Sequence, residues 1–542
     1  MPYSVVWFKR DLRVADHAAL QAAAQRGSVL CLYVIEPNLW AQTDAAHQHY
    51  LFLLESLRDL DADLRRLGGQ LHVLAGEFID VLARLFIANP FEEIYAHEET
   101  GNEITYKRDL TVSAWCKSNN VEFHEFRQFG VVRRLKNRND WKSHWDKHVR
   151  SPLLPAPELE NLQFVSLPWQ SSDSVNNTVK LPSPTKLGLT LDAPKLRQIG
   201  GRKLGIEVLE DFLNDRSAQY RGGISSPLSA PTACSRLSPY LAFGCVSLRE
   251  VVQSTYHAIN ALPAGNWQKK GLIAFVSRLY WHCHFIQKLE SEPELEYQNV
   301  HRGYDGLRED DWNPAYFDAL TTARTGWPLV DACVVMLRET GWLNFRMRAM
   351  LVSVAAYPLW LHWQPVGQWL ARQFLDYEPG IHWSQMQMQS GTTGINTTRV
   401  YNPIKQAQDH DPHGYFVRRW LPYMRRVPDA WLFEPWLMPQ VMREHLGLTI
   451  GVGSEFDIPQ PLVDLQTATR EAKAKLHALR SQPEVKAGKA AIVEKHASRA
   501  NLRTNSRANL KTSIKTSKPN SKSTSRSRVT AKPESPQITL DF

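Results

Sequence analysis

Five short runs rich in β-branched and aromatic residues punctuate the first third of the chain: SVVWF (4–8), SVLCLYVI (28–35), GQLHVLAG (69–76), EIYAH (93–97) and VEFHEF (121–126). Between them lie helical patterns such as HYLFLLESLRDLDADLRRLG. Strict alternation of strand and helix admits few folds, because each strand must return in the same direction through a helix. The order predicts βαβ units and a parallel, doubly wound sheet over residues 1–135. No GxGxxG follows the first run, which sets aside the ordinary dinucleotide fingerprint. Asp11, Arg13 and Asp16 follow it instead, a charged cluster at the sheet's carboxyl end, where α/β folds place ligands.

Residues 136–204 read as a linker, rich in Pro, Ser and Asn from about 150 onward and without period. From 205 to 480 the text is helical and dense in Trp, Arg and His, so the fold class is α/β plus all-α. The chain holds 18 tryptophans, most of which at helical spacing are core. IHWSQMQMQSGTTGINTTRVYNP (381–403) stands apart: its Met/Gln alternation is strand-like, it has no acidic residue, and it reads as an uncharged loop between helices.

Charge locates a second boundary. Of the 64 Lys/Arg and 55 Asp/Glu, 13 bases and 4 acids lie from residue 484 onward, so the preceding 483 residues carry 51 of each and are formally neutral. Residues 481–542 have too few large apolar side chains for a core and read as a disordered basic tail drawn to polyanions by counterion release. A merely solvating tail is the alternative. Six cysteines without CxxC spacing argue against a disulfide framework or a metal site. No signal segment and no apolar run of membrane-spanning length is visible, so the expectation is a soluble cytoplasmic protein with no membrane partner.

Three stretches exceed this background. WFKRDLR (7–13) joins a strand to charge; CSRLSPYLAFG (234–244) puts Ser235, Arg236 and Ser238 at a helix start, a setting suited to a phosphate; and TGWPLVDACVVMLRETGWLNFRMR (325–348) is a long apolar helical stretch. Together with YNPIKQAQDHDPHGYFVRRWLP (401–422), they resemble the cryptochrome/DNA photolyase family, in the family's order, over roughly residues 3–465.

The resemblance implies a bilobal flavoprotein, with FAD in the helical lobe and an antenna pigment as a candidate second chromophore in the α/β lobe. Glu98, Glu99 and Glu103 lie where the family often lines an antenna cleft, or they form a solvated helix start. By the same resemblance Ser235, Arg236, Leu237 and Ser238 meet the FAD pyrophosphate, Tyr220 abuts the cofactor, and Arg348 with Asp376 forms an ion pair beside the isoalloxazine. Glu378 stands where the family usually has Asp. Trp281 matches the tryptophan that stacks on a flipped base, and Trp363 the middle member of the family's electron relay.

Departures from the family are as informative. His382 takes the position opposite the flavin N5, usually Asn in photolyases and Asp or Cys in some cryptochromes; it would donate to N5 or relay a proton, unless it bonds only to backbone. A carboxylate that grips the lesion is replaced by Arg278, and an Asn or His by Phe345; Ala349 replaces the second His of the (6-4) pair. Met386 occupies the flavin-proximal relay position, which leaves Trp383 or Trp360 to substitute, with Trp312 near the distal one. The last residues, QITLDF, fit through Gln537, Leu540 and Phe542 the pattern of bacterial sliding-clamp peptides. The leading expectation is a monomeric deoxyribodipyrimidine photolyase, a carbon–carbon lyase acting on UV-damaged DNA and nucleoid-associated in a bacterium, with Trp281, Trp363 and His382 in catalytic roles. The alternatives are a cryptochrome photoreceptor and a nucleic-acid-binding flavoprotein without repair chemistry.

Overall fold

A computed structural model describes residues 3–158, 163–168, 181–395, 399–453 and 455–496. Strands β1 (Tyr3–Phe8), β2 (Ser28–Ile35), β3 (His72–Ala75), β4 (Glu93–His97) and β5 (Glu122–Phe126) form one parallel sheet in the order β3-β2-β1-β4-β5. A two-residue strand β6 (Gln163–Phe164) adds to the start of β2. All six residues of β1 are buried, as a central parallel strand covered on both faces requires. Its helices include α1 (Ala18–Arg26), α2 (His47–Arg66), α3 (Phe78–Ala88) and α4 (Glu103–Ser118). The strand order reverses between β1 and β4, so a crevice opens at their carboxyl ends.

The charged cluster that ends β1 is a joint between the lobes. Asp11 Oδ2 meets His97 Nδ1 at 2.7 Å and His17 Nε2 at 3.0 Å. Arg13 donates to the carbonyl of Gly244 at 2.9 Å, and Asp16 pairs with Arg249 and accepts from Ser247. Gly244 (φ 66°) is required here, because a Cβ would lie 2.0 Å from the Arg10 carbonyl oxygen. The ligand reading of these three charges therefore gives way to a structural one: Arg13 and Asp16 are taken up across the joint, and Asp11 by His17 and His97 within its own lobe.

Residues 136–204 are not purely connective. Helix α5 (Trp141–Arg150) lies inside that span, and its Trp141, Trp145 and Val149 are buried against the helical lobe. That lobe is built on α6 (Trp267–Ser291), α7 (Pro328–Thr340), α8 (Phe345–Ala356), α9 (Trp363–Gln373), α10 (Pro379–Ser390) and α11 (Leu465–Ser481). The long apolar stretch from 325 is two helices, α7 and α8, broken at Gly341 (φ 67°). A further helix, α12 (Pro483–His496), sits at the head of the stretch expected to be disordered. The remainder of the tail, with Gln537, Leu540 and Phe542, lies outside the described residues.

The loop expected at 381–403 begins as helix. Pro379 occupies the first turn of α10 and Gly391, left-handed at φ 80°, ends it. Ten of its twelve residues are buried, so it shows no polar face and its periodicity carries no helical signal. Of the alternating glutamines, Gln387 is satisfied inside: it donates to the carbonyls of Leu295 and Gln298 and accepts from Val300 N–H at 2.6 Å. Gly380 lets α10 touch α6, since a Cβ there would stand 2.5 Å from Ile286 Cα.

Candidate functional site

A cavity of about 310 Å³ opens in the helical lobe. One wall is the segment Cys234–Ser238, in which Arg236 holds a left-handed φ of 62° ahead of the short helix Ser238–Ala242. The Arg236 Nε donates to Gln198 Oε1 at 3.1 Å and its guanidinium lies 4.0 Å from the centre of the Trp342 ring. Burial lowers Arg236 to about 10 against the opposing pull of Asp376, and among the described residues no carboxylate forms an ion pair with it. A largely buried cation without an ion pair of its own suits an anionic ligand.

Opposite lies an ion pair. Arg348, from α8, donates through Nη2 to Asp376 Oδ2 at 2.9 Å and through Nε to the Leu343 carbonyl at 2.7 Å. Burial alone would raise the Asp376 carboxyl, but Arg348 holds it below the usual carboxylate range. Glu378 is raised by burial despite its ion pair with Arg10 at the end of β1. One face of α10 completes this wall with Ile381, His382, Gln385, Met386 and Gln389, three and four residues apart.

Several buried polar atoms on this lining have no protein partner among the described residues: Asp376 Oδ1, Glu378 Oε1, Asn344 Oδ1, Gln385 Nε2 and Gln389 Oε1. Orphans of this kind are costly unless a ligand satisfies them. Between them Tyr220, Phe275, Trp342 and Phe374 supply flat apolar surface. The donor set thus fits a ligand with an anionic part and a ring bearing both donors and acceptors, which describes FAD.

Every residue the family resemblance assigns to cofactor or substrate lies on this cavity: Tyr220, Ser235, Arg236, Leu237, Ser238, Arg348, Asp376, Glu378, His382, Trp281, Arg278 and Phe345, with Ala349 and Met386 beside them. Of the two readings of His382, a flavin contact through a donated proton or a bond to backbone, the contact seen is to backbone. The ring's Nε2 is 2.9 Å from the Gly367 carbonyl, and must donate to it, while burial lowers the imidazole to about 4. The ring is neutral at ordinary pH, and its other nitrogen, Nδ1, can only accept.

The tryptophans separate. Trp363 and Trp383 are buried and pack edge to face, with centroids 5.9 Å apart, and Trp383 lies 4.9 Å from the His382 ring. An unbroken aromatic contact therefore runs from Trp363 to the cavity wall through Trp383. Trp360 turns elsewhere, bonding Asp311 and lying under Arg308 and Lys475, and Trp312 packs on Phe317. Trp342, Asn344, Gln385 and Gln389 were not singled out as site residues by sequence reasoning. The signal was there: two sit in TGWLN, and two stand at helical spacing from His382.

A second cleft, of about 190 Å³, lies at the sheet's carboxyl end and is lined by Trp7, Tyr33, Trp40, Asn102 and Glu99 among others. Its charges are engaged. Arg108 meets Glu36 at 2.8 Å, Asp109 at 2.9 Å and Glu99 at 3.4 Å, and Lys9 meets Asp109 at 2.6 Å. Of the three candidate antenna acids only Glu99 borders this cleft; Glu103 pairs with Lys107, and Glu98 lines a smaller hollow. Six free cysteines are described, five of them buried. Asp11, His17 and His97 have ligand-like spacing, but His17 Nδ1 already accepts the Leu20 N–H, which puts the proton on Nε2, the atom 3.0 Å from Asp11. No described helix is long and apolar enough to cross a membrane.

Fold and cavity together define a two-lobed protein that holds a large nucleotide-type cofactor in its helical lobe. Residues 4–137 match the family model for DNA photolyase and residues 275–478 that for the FAD binding domain of DNA photolyase. Cryptochrome DASH of Gloeobacter violaceus is 28% identical over 488 residues, covering 85% of this chain and 93% of that protein. Deoxyribodipyrimidine photo-lyase of Alkalihalophilus pseudofirmus is 25% identical, covering 86% and 96%. The crystal structure of a bacterial class III photolyase from Agrobacterium tumefaciens matches with a TM-score of 0.74 at 22% identity, covering 89% of this chain and 98% of that one. The chain belongs to the cryptochrome/DNA photolyase family and is an FAD flavoprotein.

Proposed function

We propose that the protein is a blue-light-dependent DNA-repair enzyme, a deoxyribodipyrimidine photolyase whose substrate wall differs from the family's standard ones. The observation that carries this reading is Trp281, half-buried on the wall of the same cavity that would hold FAD, with Phe285 beside it. An aromatic face at a cavity mouth stacks on an unpaired base whatever its sequence. Bound there in reduced form, FAD would supply the photoexcited electron that splits a pyrimidine dimer. The chain's own residues hold and shield it: the Ser235–Ser238 segment and Arg236 take the pyrophosphate, and Arg348 keeps a fixed cation near the ring. Trp383 takes the relay position that Met386 leaves empty, passing charge from Trp363. The cleft at the sheet's carboxyl end is the place for a second chromophore.

Arg278 and Phe345 favour a second reading, a photoreceptor with little repair, because each replaces a polar grip on the lesion. One experiment separates the two. The protein with chemically reduced flavin is incubated with oligonucleotides bearing cyclobutane or (6-4) lesions, in the dark and under blue light. Light-dependent loss of one lesion, abolished in Trp281→Ala with flavin retained, supports repair; no loss of either sinks it in favour of the photoreceptor. In separate samples with the flavin oxidised and an external reductant added, photoreduction is expected to slow in Trp383→Phe and not in Trp360→Phe.

A further inference from the structure

Tyr377 is the one residue that lines both hollows. It stands between Asp376 and Glu378, two acids of the helical-lobe cavity, and its ring meets that of His382 edge-on with centroids 5.2 Å apart. Its hydroxyl points the other way, out of the helical lobe. It donates to Asp44 Oδ2 at 2.6 Å, a carboxylate just ahead of α2 in the α/β lobe. A phenol bonded so closely to a carboxylate makes a charge-assisted bond. Asn102, which precedes α4, donates to the same Asp44 oxygen at 2.7 Å and to Glu296 Oε1 at 2.6 Å. The joint around them is tight: Gln48 donates to the Arg372 carbonyl at 2.6 Å, and the His49 ring stacks on that of Tyr377.

Burial and the nearby Asp44 and Glu296 hold the Tyr377 phenol well above its ordinary value, so it keeps its proton at rest. A phenol that loses an electron becomes a strong acid, and the loss is trapped where a base stands within hydrogen-bond reach of the proton. Asp44 is such a base. Tyr220, the other tyrosine of the cavity, has the Cys234 thiol and Arg278 acting on it and no carboxylate. Trp383 Nε1 is buried without a hydrogen-bond partner among the described residues, so an oxidised Trp383 has no base beside its proton and must pass the charge to Trp363.

We propose that Tyr377 is a second electron donor to the light-excited, oxidised flavin, with Asp44 of the opposite lobe as its proton acceptor. One electron leaves the Tyr377 ring for the flavin, the phenolic O–H bond breaks, and the proton moves to Asp44 Oδ2. A neutral tyrosyl radical and a protonated carboxyl remain; an external thiol then returns the electron, and Asp44 the proton. The inference rests on the flavin's place in this cavity, not on repair and not on the Trp383 route.

The test uses the full-length protein with oxidised FAD, illuminated with blue light beside a thiol, and reads both the photoreduction rate and the electron paramagnetic resonance spectrum of samples frozen under light. Trp383→Phe is expected to show a radical component that narrows when the protein carries ring-deuterated tyrosine. Adding Tyr377→Phe is expected to remove that component and to slow the residual photoreduction several-fold. Asp44→Asn, which still accepts a hydrogen bond but takes no proton, is expected to slow it in the same way. A radical spectrum that ring-deuterated tyrosine leaves unaltered overturns the donor, and needs no substitution at Tyr377; so does a residual rate that Tyr377→Phe does not change. A tyrosyl radical in a protein that repairs neither lesion leaves the donor standing and removes repair, whereas repair without a tyrosyl radical does the reverse.

Discussion

The two hollows of this molecule are built from the same kinds of residue and treat them in opposite ways. In the cleft at the sheet's carboxyl end, Arg108, Lys9, Glu36, Glu99 and Asp109 close on one another. In the helical-lobe cavity, Arg236 lacks an ion pair and five buried polar atoms of Asp376, Glu378, Asn344, Gln385 and Gln389 lack protein partners among the described residues. A charged hollow is thus not yet a binding site. What marks the second as one is its unmet hydrogen-bonding capacity, which a ligand carrying a pyrophosphate and a ring with donors and acceptors would meet.

Two substitutions test that contrast directly, and they should fail in opposite ways. Arg108→Ala leaves three buried carboxylates short of a cation, and the loss of one partner from such a network costs about 3–5 kcal/mol. Chemical denaturation should show that loss, while the folded fraction keeps its full visible flavin absorbance. Arg236→Ala removes a cation the protein itself does not pair, so the flavin-free protein should be no less stable. Its FAD affinity should fall by about 1.5–3 kcal/mol, the worth of a charge-assisted hydrogen bond, and equilibrium dialysis would read this as roughly a ten- to hundred-fold weaker Kd. Equal stability losses in both variants would erase the distinction between the hollows.

Sequence reached the two hollows unequally. The strands were legible because each is a short β-rich run between helical patterns, and the observed order β3-β2-β1-β4-β5 is doubly wound as the alternation demands. Ser235–Ser238 and Arg348 were legible through motifs, since phosphate and ring chemistry restrict residue type. Helix α10 was not, because a segment buried on every side has no face for periodicity to reveal; reading it as extended also hid Gln385 and Gln389. Asp11, Arg13 and Asp16 looked like ligand groups because an inter-lobe joint and a binding site use the same charges, and only their partners tell them apart. The pairing of Tyr377 with Asp44, 333 positions apart, leaves no trace in local sequence at all.

His382 offers the finest test, because it belongs to the open hollow yet is satisfied within it. Its folded value of about 4 lies below the roughly 6.5 of an unfolded histidine. Between those limits the unfolded chain holds a proton that the folded site refuses, so stability is intact above about pH 6.5 and falls as the pH drops toward 4. The slope from one such group is about 1.4 kcal/mol per pH unit. His97 and His282, lowered to about 3 and about 4, add slopes of the same sign, so wild type should be strongly acid-sensitive. His382→Asn should flatten the curve by one proton and leave the rest. Denaturation at a series of pH values decides it: an unchanged slope would mean that His382 takes up its proton inside the fold, and that the bond to the Gly367 carbonyl does not hold it neutral.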